Sequence, residues 1–213
     1  MKLLLYCTKA KPYLADFKGE YQTFSNGKEL DELWDKGFNL NDIMSILNGK
    51  IVAECDFEVD KIFEDNFEDV RDGYVEHFYT LESYDDFDEG EKVLLKESCL
   101  QKHELSNYFG FEDGYAIHIK NLHIFDEPRD ITKLVLINQY RKDLKGTQYN
   151  RVKVAPKNMC MVDYAIDCNY KENIFDSPYI LISIRPEWLC KILNGEKTIE
   201  VRKKVLKEML NNE

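Results

Sequence analysis

At 213 residues and 44% apolar composition the chain can bury a core of its own, and one elaborated domain is its simplest organisation. No window approaches the roughly 20 apolar residues of a membrane span, and the run from Met1 to Tyr6 is too short for a secretory signal, so the expectation is a soluble, cytoplasmic protein without membrane partners. A formal charge of −11 weighs against a uniformly basic nucleic-acid binder, because phosphate contacts come from Lys and Arg.

Taken in order, Leu3, Leu5 and Cys7 alternate with Leu4, Tyr6 and Thr8 and predict a strand that Lys9-Ala-Lys-Pro12 ends. Residues Asp16 to Asn26 show no clear period and read as loop or short helix. Leu30, Leu33 and Trp34, then Ile43, Met44, Ile46 and Leu47, predict two short amphipathic helices within Lys28–Leu47, with Gly37 between them. Asn48-Gly49 is a turn signal, and the alternation of Ile51, Ala53, Cys55 and Phe57 with Val52, Glu54, Asp56 and Glu58 predicts a strand with an acidic outer face.

From Asp56 to Glu91 acids recur at nearly every turn, with only Lys61 and Arg71 against them, and residues 58–97 read as a solvated acidic insertion between strands. Asp86, Asp88, Gly90 and Glu97 hint at a calcium loop, but the glycine falls one position early and a ligand is missing. Ser98 and Gln101 suggest a capping box opening a helix through Leu105, Tyr108 and Phe109 that Gly110 ends. Gly114 then releases a long strand in which Tyr115, Ile117 and Ile119 oppose Ala116, His118 and Lys120, and Asn121 breaks the alternation. Asp143–Asn150 reads as loop, Arg151–Pro156 as a strand, and 163–178 as a joining segment without strong period.

The six cysteines contain no Cys-x-x-Cys pair and the four histidines lack ligand spacing, so the thiols read as small buried hydrophobes in a reducing compartment, and neither metal nor cofactor is expected. The tail carries a denser signal. Tyr179–Ile184 is apolar or β-branched and short, which suits a strand buried on both faces. Pro186 stops it and begins a helix whose Trp188, Leu189, Ile192 and Leu193 share a face, and Asn194-Gly195 closes that helix with a left-handed cap. Period two in Lys197–Arg202 then sets Ile199 and Val201 on one face and Thr198, Glu200 and Arg202 on the other.

The run Gly195-Glu-Lys-Thr-Ile-Glu-Val-Arg202, after Ser183-Ile-Arg-Pro186, resembles the signature of the ASCH family, the RNA-associated branch of the PUA-like β-barrels. In that family the motif opens the domain; in this chain it lies near the end, and Lys2–Tyr13, Asn48–Phe57, Gly114–Ile124 and the stretch around Val154–Cys160 look like the strands that should follow it. The resemblance therefore implies an α+β fold: one circularly permuted ASCH-like barrel over 1–213, with barrel strands in 2–57 and 114–161 and the permuted first strand, helix and motif in 179–207. A truncated second domain and a tail swapped into a neighbouring molecule are the competing readings.

The resemblance also implies a basic cleft for RNA or a modified nucleotide lined by Lys9, His118, Arg185, Lys197, Thr198, Glu200 and Arg202. Lys197 is the leading candidate, since an ammonium at a tight turn can bind phosphate or, if burial lowers its pKa, act as a base; a solvated turn lysine is the ordinary alternative. Glu200 and Arg202 equally suit an ion pair bracing a barrel. Some family members are acetylcytidine amidohydrolases, and these resemble the chain at Lys197, but their threonine nucleophile falls where Glu200 stands. A ribonuclease would use Lys197 as electrostatic stabiliser and Glu200 as general base. A third reading makes the acidic segment a decoy for a basic nucleic-acid-binding protein, as in a mobile-element or phage product.

Overall fold

A computed structural model describes residues 1–9, 46–69, 74–84, 86–137, 150–164 and 178–210. The two helices expected in 28–47 fall, but for their last residues, outside this set, as do the loop at 16–26, most of that at 143–150, and 165–177 of the joining segment. The fold is α+β: strands with a few short helices, in two compact units that interleave along the chain. The first unit comprises Met1–Asp56 and Asn121–Asn194, the second Phe57–Lys120 and Gly195–Glu213.

In the first unit β1 (Lys2–Cys7) is central. It pairs antiparallel with the start of β2 (Ile51–Asp69), Leu4 opposite Glu54, and parallel with β8 (Tyr179–Ile184), from Lys2 opposite Tyr179 to Cys7 opposite Ile184. Parallel neighbours are usually covered on both faces, and five of six residues are buried in each of these strands. Beyond β8 come β7 (Met159–Tyr164), β5 (Leu134–Leu136) and the two-residue β6 (Asn150–Arg151). Leu4, Tyr6, Ile51, Phe125, Leu134, Val162 and Leu181 share one core. Leu47 is buried, and Gly49 takes a left-handed φ of 77° in the turn into β2, where Lys9 crosses it. The strand expected over Arg151–Pro156 shrinks to Asn150–Arg151: Val152 still donates to the Leu134 carbonyl, but Pro156 offers no N–H, and its carbonyl accepts from the Ser183 hydroxyl instead. The next strand, β7, extends into the expected joining segment.

The second unit takes the rest of β2, then β3 (Tyr74–Leu81), α1 (Phe87–Ser98), α2 (Lys102–Phe109), the first half of β4 (Gly114–Arg129), and β9 (Ile199–Arg202). Here the acidic insertion is corrected. Its acids flank alternate positions that bury Ile62, Tyr79 and Leu81, and α1 adds Leu94, all in one cluster with Leu105, Phe109, Ala116, Ile199 and Val201. Asp86, read as a possible calcium ligand, accepts from the Asp88 N–H as the N-cap of α1. The capping box also moves: Cys99 at φ 56° ends α1, and Gln101 is the N-cap of α2, its backbone N–H donating to Glu104. Gly110 caps α2 in the left-handed region, and Asn121, at φ 48°, marks the irregularity in β4.

The helix after β8, α3 (Pro186–Leu193), has Pro186 in its first turn and buries Pro186, Leu189, Ile192 and Leu193; Trp188 is only half-buried, with the Lys191 ammonium 4.9 Å from its ring centre. A short α4 (Lys207–Leu210) follows β9. Each of β6 and β9 has one described strand neighbour, so the strands described form open sheets.

Gly114 is buried, and a Cβ there would fall on the ring of Phe109, itself without solvent access. Gly114→Ala is expected to cost about 1–3 kcal/mol through overpacking, read as a lower urea midpoint; an unchanged midpoint would contradict this packing.

Candidate functional site

The signature run belongs to the second unit, and its turn is stitched to the C-terminal end of α1. The Thr198 backbone N–H donates to the Glu97 carbonyl at 2.9 Å and its hydroxyl to a Glu97 carboxylate oxygen at 2.9 Å. The Cys99 thiol donates to the Glu196 carbonyl at 3.2 Å. Gly195, at φ 72°, allows the chain to reverse at the start of this turn. The Thr198 carbonyl accepts the Ile119 N–H of β4 at 2.8 Å, one step before Ile199 pairs with His118.

Lys197 points inward and is 2% exposed. Its ammonium donates to the carbonyls of Ser98 at 2.8 Å and Ile199 at 2.6 Å and lies 3.4 Å from Glu200 Oε2, so three donors meet three acceptors. Glu200 is also buried, and its other oxygen is 2.8 Å from Arg202 Nη2. Burial lowers the Lys197 pKa below its ordinary 10.5, opposed by the Glu200 carboxylate beside it. The resulting chain of Lys197, Glu200 and Arg202 is a charged brace inside the unit: Lys197 is almost closed to solvent, and Glu200 and Arg202 are only slightly exposed.

His118 is placed otherwise. In the β4–β9 register Ile117 lies opposite Glu200 and Tyr115 opposite Arg202, whereas His118 lies opposite Ile199. Directly opposed residues share a face and neighbours along a strand alternate, so His118 is on the reverse side of the sheet from Glu200 and Arg202. There its Nε2 sits 3.1 Å from Asp60 Oδ2, while Lys120 pairs with Glu58 one repeat further on.

Lys9 and Arg185 belong to the first unit. The Thr8 N–H donates to the Ile184 carbonyl at 2.8 Å, so Lys9 and Arg185 leave adjacent parallel strands at the same end. Lys9 is exposed, and Arg185, 76% exposed, has Glu187 at 3.9 Å. The structure thus gathers Lys197, Thr198, Glu200 and Arg202 around one turn, sets His118 on the other face of the same strands, and leaves Lys9 and Arg185 at the same end of two neighbouring strands.

Sequence reading missed Glu97, Ser98 and Asp60, which fix Thr198, Lys197 and His118. They lie far away in the chain, and the local patterns that include Glu97 and Ser98, a calcium-loop hint and a capping box, do not mark them as partners of the signature run. Cys7 and Cys55 are fully buried, and burial pushes their thiols up to about 12 and that of Cys160 to about 11; Cys168 lies outside the described residues. Among the described residues no group of three or more His, Cys, Asp and Glu is placed to hold a metal ion.

Lys197→Ala is expected to destabilise the protein by about 3 kcal/mol, since two buried carbonyls and a carboxylate are left without their donor. A folded-state pKa below the unfolded value means that the unfolded chain holds more protons as pH approaches 10.5 from below, so stability rises with pH across that window. Wild type should therefore gain on Lys197→Met as pH is raised toward 10.5 in denaturant titrations; a flat difference would argue that the ammonium is solvated. No family model matches this chain, and neither does any curated protein or solved structure.

Proposed function

We propose that this chain is a binding module of ASCH type, a circularly permuted PUA-like barrel that takes single-stranded RNA or a nucleotide. What supports the reading is the parallel ladder between β1 and β8, with α3 and then β9 following β8. In a permuted ASCH domain the strand leading into the signature would lie beside the strand that now stands earliest, and the short helix and the motif would come next. The chain has these elements in this order.

Within that reading the motif is the frame and the ligand meets other residues. An ammonium sealed among two carbonyls and a carboxylate has no route to a substrate, which favours binding over catalysis by Lys197 and Glu200. Lys9 and Arg185, both exposed at the same end of the neighbouring strands β1 and β8, are cations able to meet phosphate. With a net charge of −11, phosphate contacts have to come from such local cations.

The test is a fluorescence titration with a short single-stranded RNA at several salt concentrations. Binding should weaken as salt rises, and the double variant Lys9→Ala/Arg185→Ala should flatten the dependence of log K on log salt by about 1.4, roughly 0.7 for each phosphate no longer neutralised. Because the Arg185 side chain makes no capping hydrogen bond to α3, the variant should fold as the wild type does. No binding at low salt, or identical slopes, would overturn the proposal.

A further inference from the structure

Phe111 combines two features that folding disfavours. It is a bulky residue at φ 66°, immediately after Gly110 at φ 60°, and the residue is 61% exposed. Left-handed backbone is costly for any residue with a Cβ, and Gly110 alone supplies the cap on α2 through its N–H to the Ser106 carbonyl. A glycine at 111 would relieve the strain, and with most of the residue in water the phenylalanine recovers only part of the burial that could offset it.

The strained backbone presents the ring in a defined way. Phe111 lies on the imidazole of His77, ring centres 4.2 Å apart, and His77 is itself held by Glu64 at 2.9 Å. Glu64 is fixed in turn, its backbone N–H donating to Asp113, which also pairs with Lys61. The Glu64 carboxylate thus holds the edge of the imidazole, the Phe111 ring packs on that imidazole at a tilt of 48°, and Phe111 itself is largely open to solvent. Beside it the exposed Lys203 carries its ammonium 3.9 Å from the point that a Cβ on Gly110 would occupy.

We infer that Phe111 is a stacking platform for a nucleobase of single-stranded RNA, with Lys203 placed to meet the adjoining phosphate. An aromatic plane with a cation nearby is the arrangement that binds single strands with little sequence preference, since every base has a π face. This inference rests on the RNA-binding reading above and deepens it by naming a base contact that neither the signature motif nor the cations Lys9 and Arg185 supply.

The same labelled single-stranded RNA tests it. Phe111→Gly should weaken binding about tenfold or more while leaving the thermal midpoint no lower than wild type, Phe111→Trp should bind at least as tightly as wild type, and Lys203→Ala should reduce the salt dependence. Unchanged affinity in Phe111→Gly, or Phe111→Leu binding as well as Phe111→Trp, would overturn the platform. Those results with a Lys9→Ala/Arg185→Ala effect intact would remove this inference alone, whereas a wild-type protein that binds no RNA at low salt would remove the RNA-binding reading with it.

Discussion

The hydrogen-bonded ladder between β1 and β8 is the constraint on which the first unit depends. It joins segments far apart in the chain, Lys2 beside Tyr179 through to Cys7 beside Ile184. Closing so long a loop costs only slightly more entropy than closing a moderate one, because the cost grows with the logarithm of length. Apolar burial along the ladder offsets that cost: Leu3, Leu4, Leu5, Ile180, Leu181 and Ile182 have almost no solvent exposure. α3 follows β8 directly in the chain, and the signature run follows α3.

Within the second unit, Lys197 shows how a motif can be chemically conspicuous and structurally ordinary. A lysine at a turn suggests phosphate or base chemistry until its surroundings are known. Those surroundings are two carbonyls and a carboxylate in the interior, and a buried charge is tolerable only when so fully hydrogen-bonded. Thr198 and Cys99 fasten the same turn from outside, so Lys197, Thr198 and Glu200 all take part in holding β9 against α1 and β4.

Elements whose information is local were legible in the sequence. β8 matches its apolar run from Tyr179 to Ile184, and β4 begins at Gly114 and is disturbed at Asn121, because proline, glycine and a left-handed asparagine mark such boundaries themselves. The acidic hairpin was misread because Ile62, Tyr79 and Leu81 are separated by acids and aromatics that mask a period of two. The site was least legible: one of the two carbonyls that bind the Lys197 ammonium belongs to a residue 99 positions earlier, and the carboxylate facing His118 to one 58 positions earlier. Whether a charged side chain is a ligand contact or a brace is set by such distant neighbours, and no local spacing encodes them.

The ladder also bears on synthesis. β1 is made long before β8, and at ribosomal speeds roughly ten seconds or more separate them. For that interval Leu3–Cys7 lacks one of its two neighbours, and a short apolar β segment with an open edge is the kind of surface on which chains stick to one another. Truncations ahead of Tyr179 would make that exposure permanent, and their characteristic fate would be self-association into insoluble material.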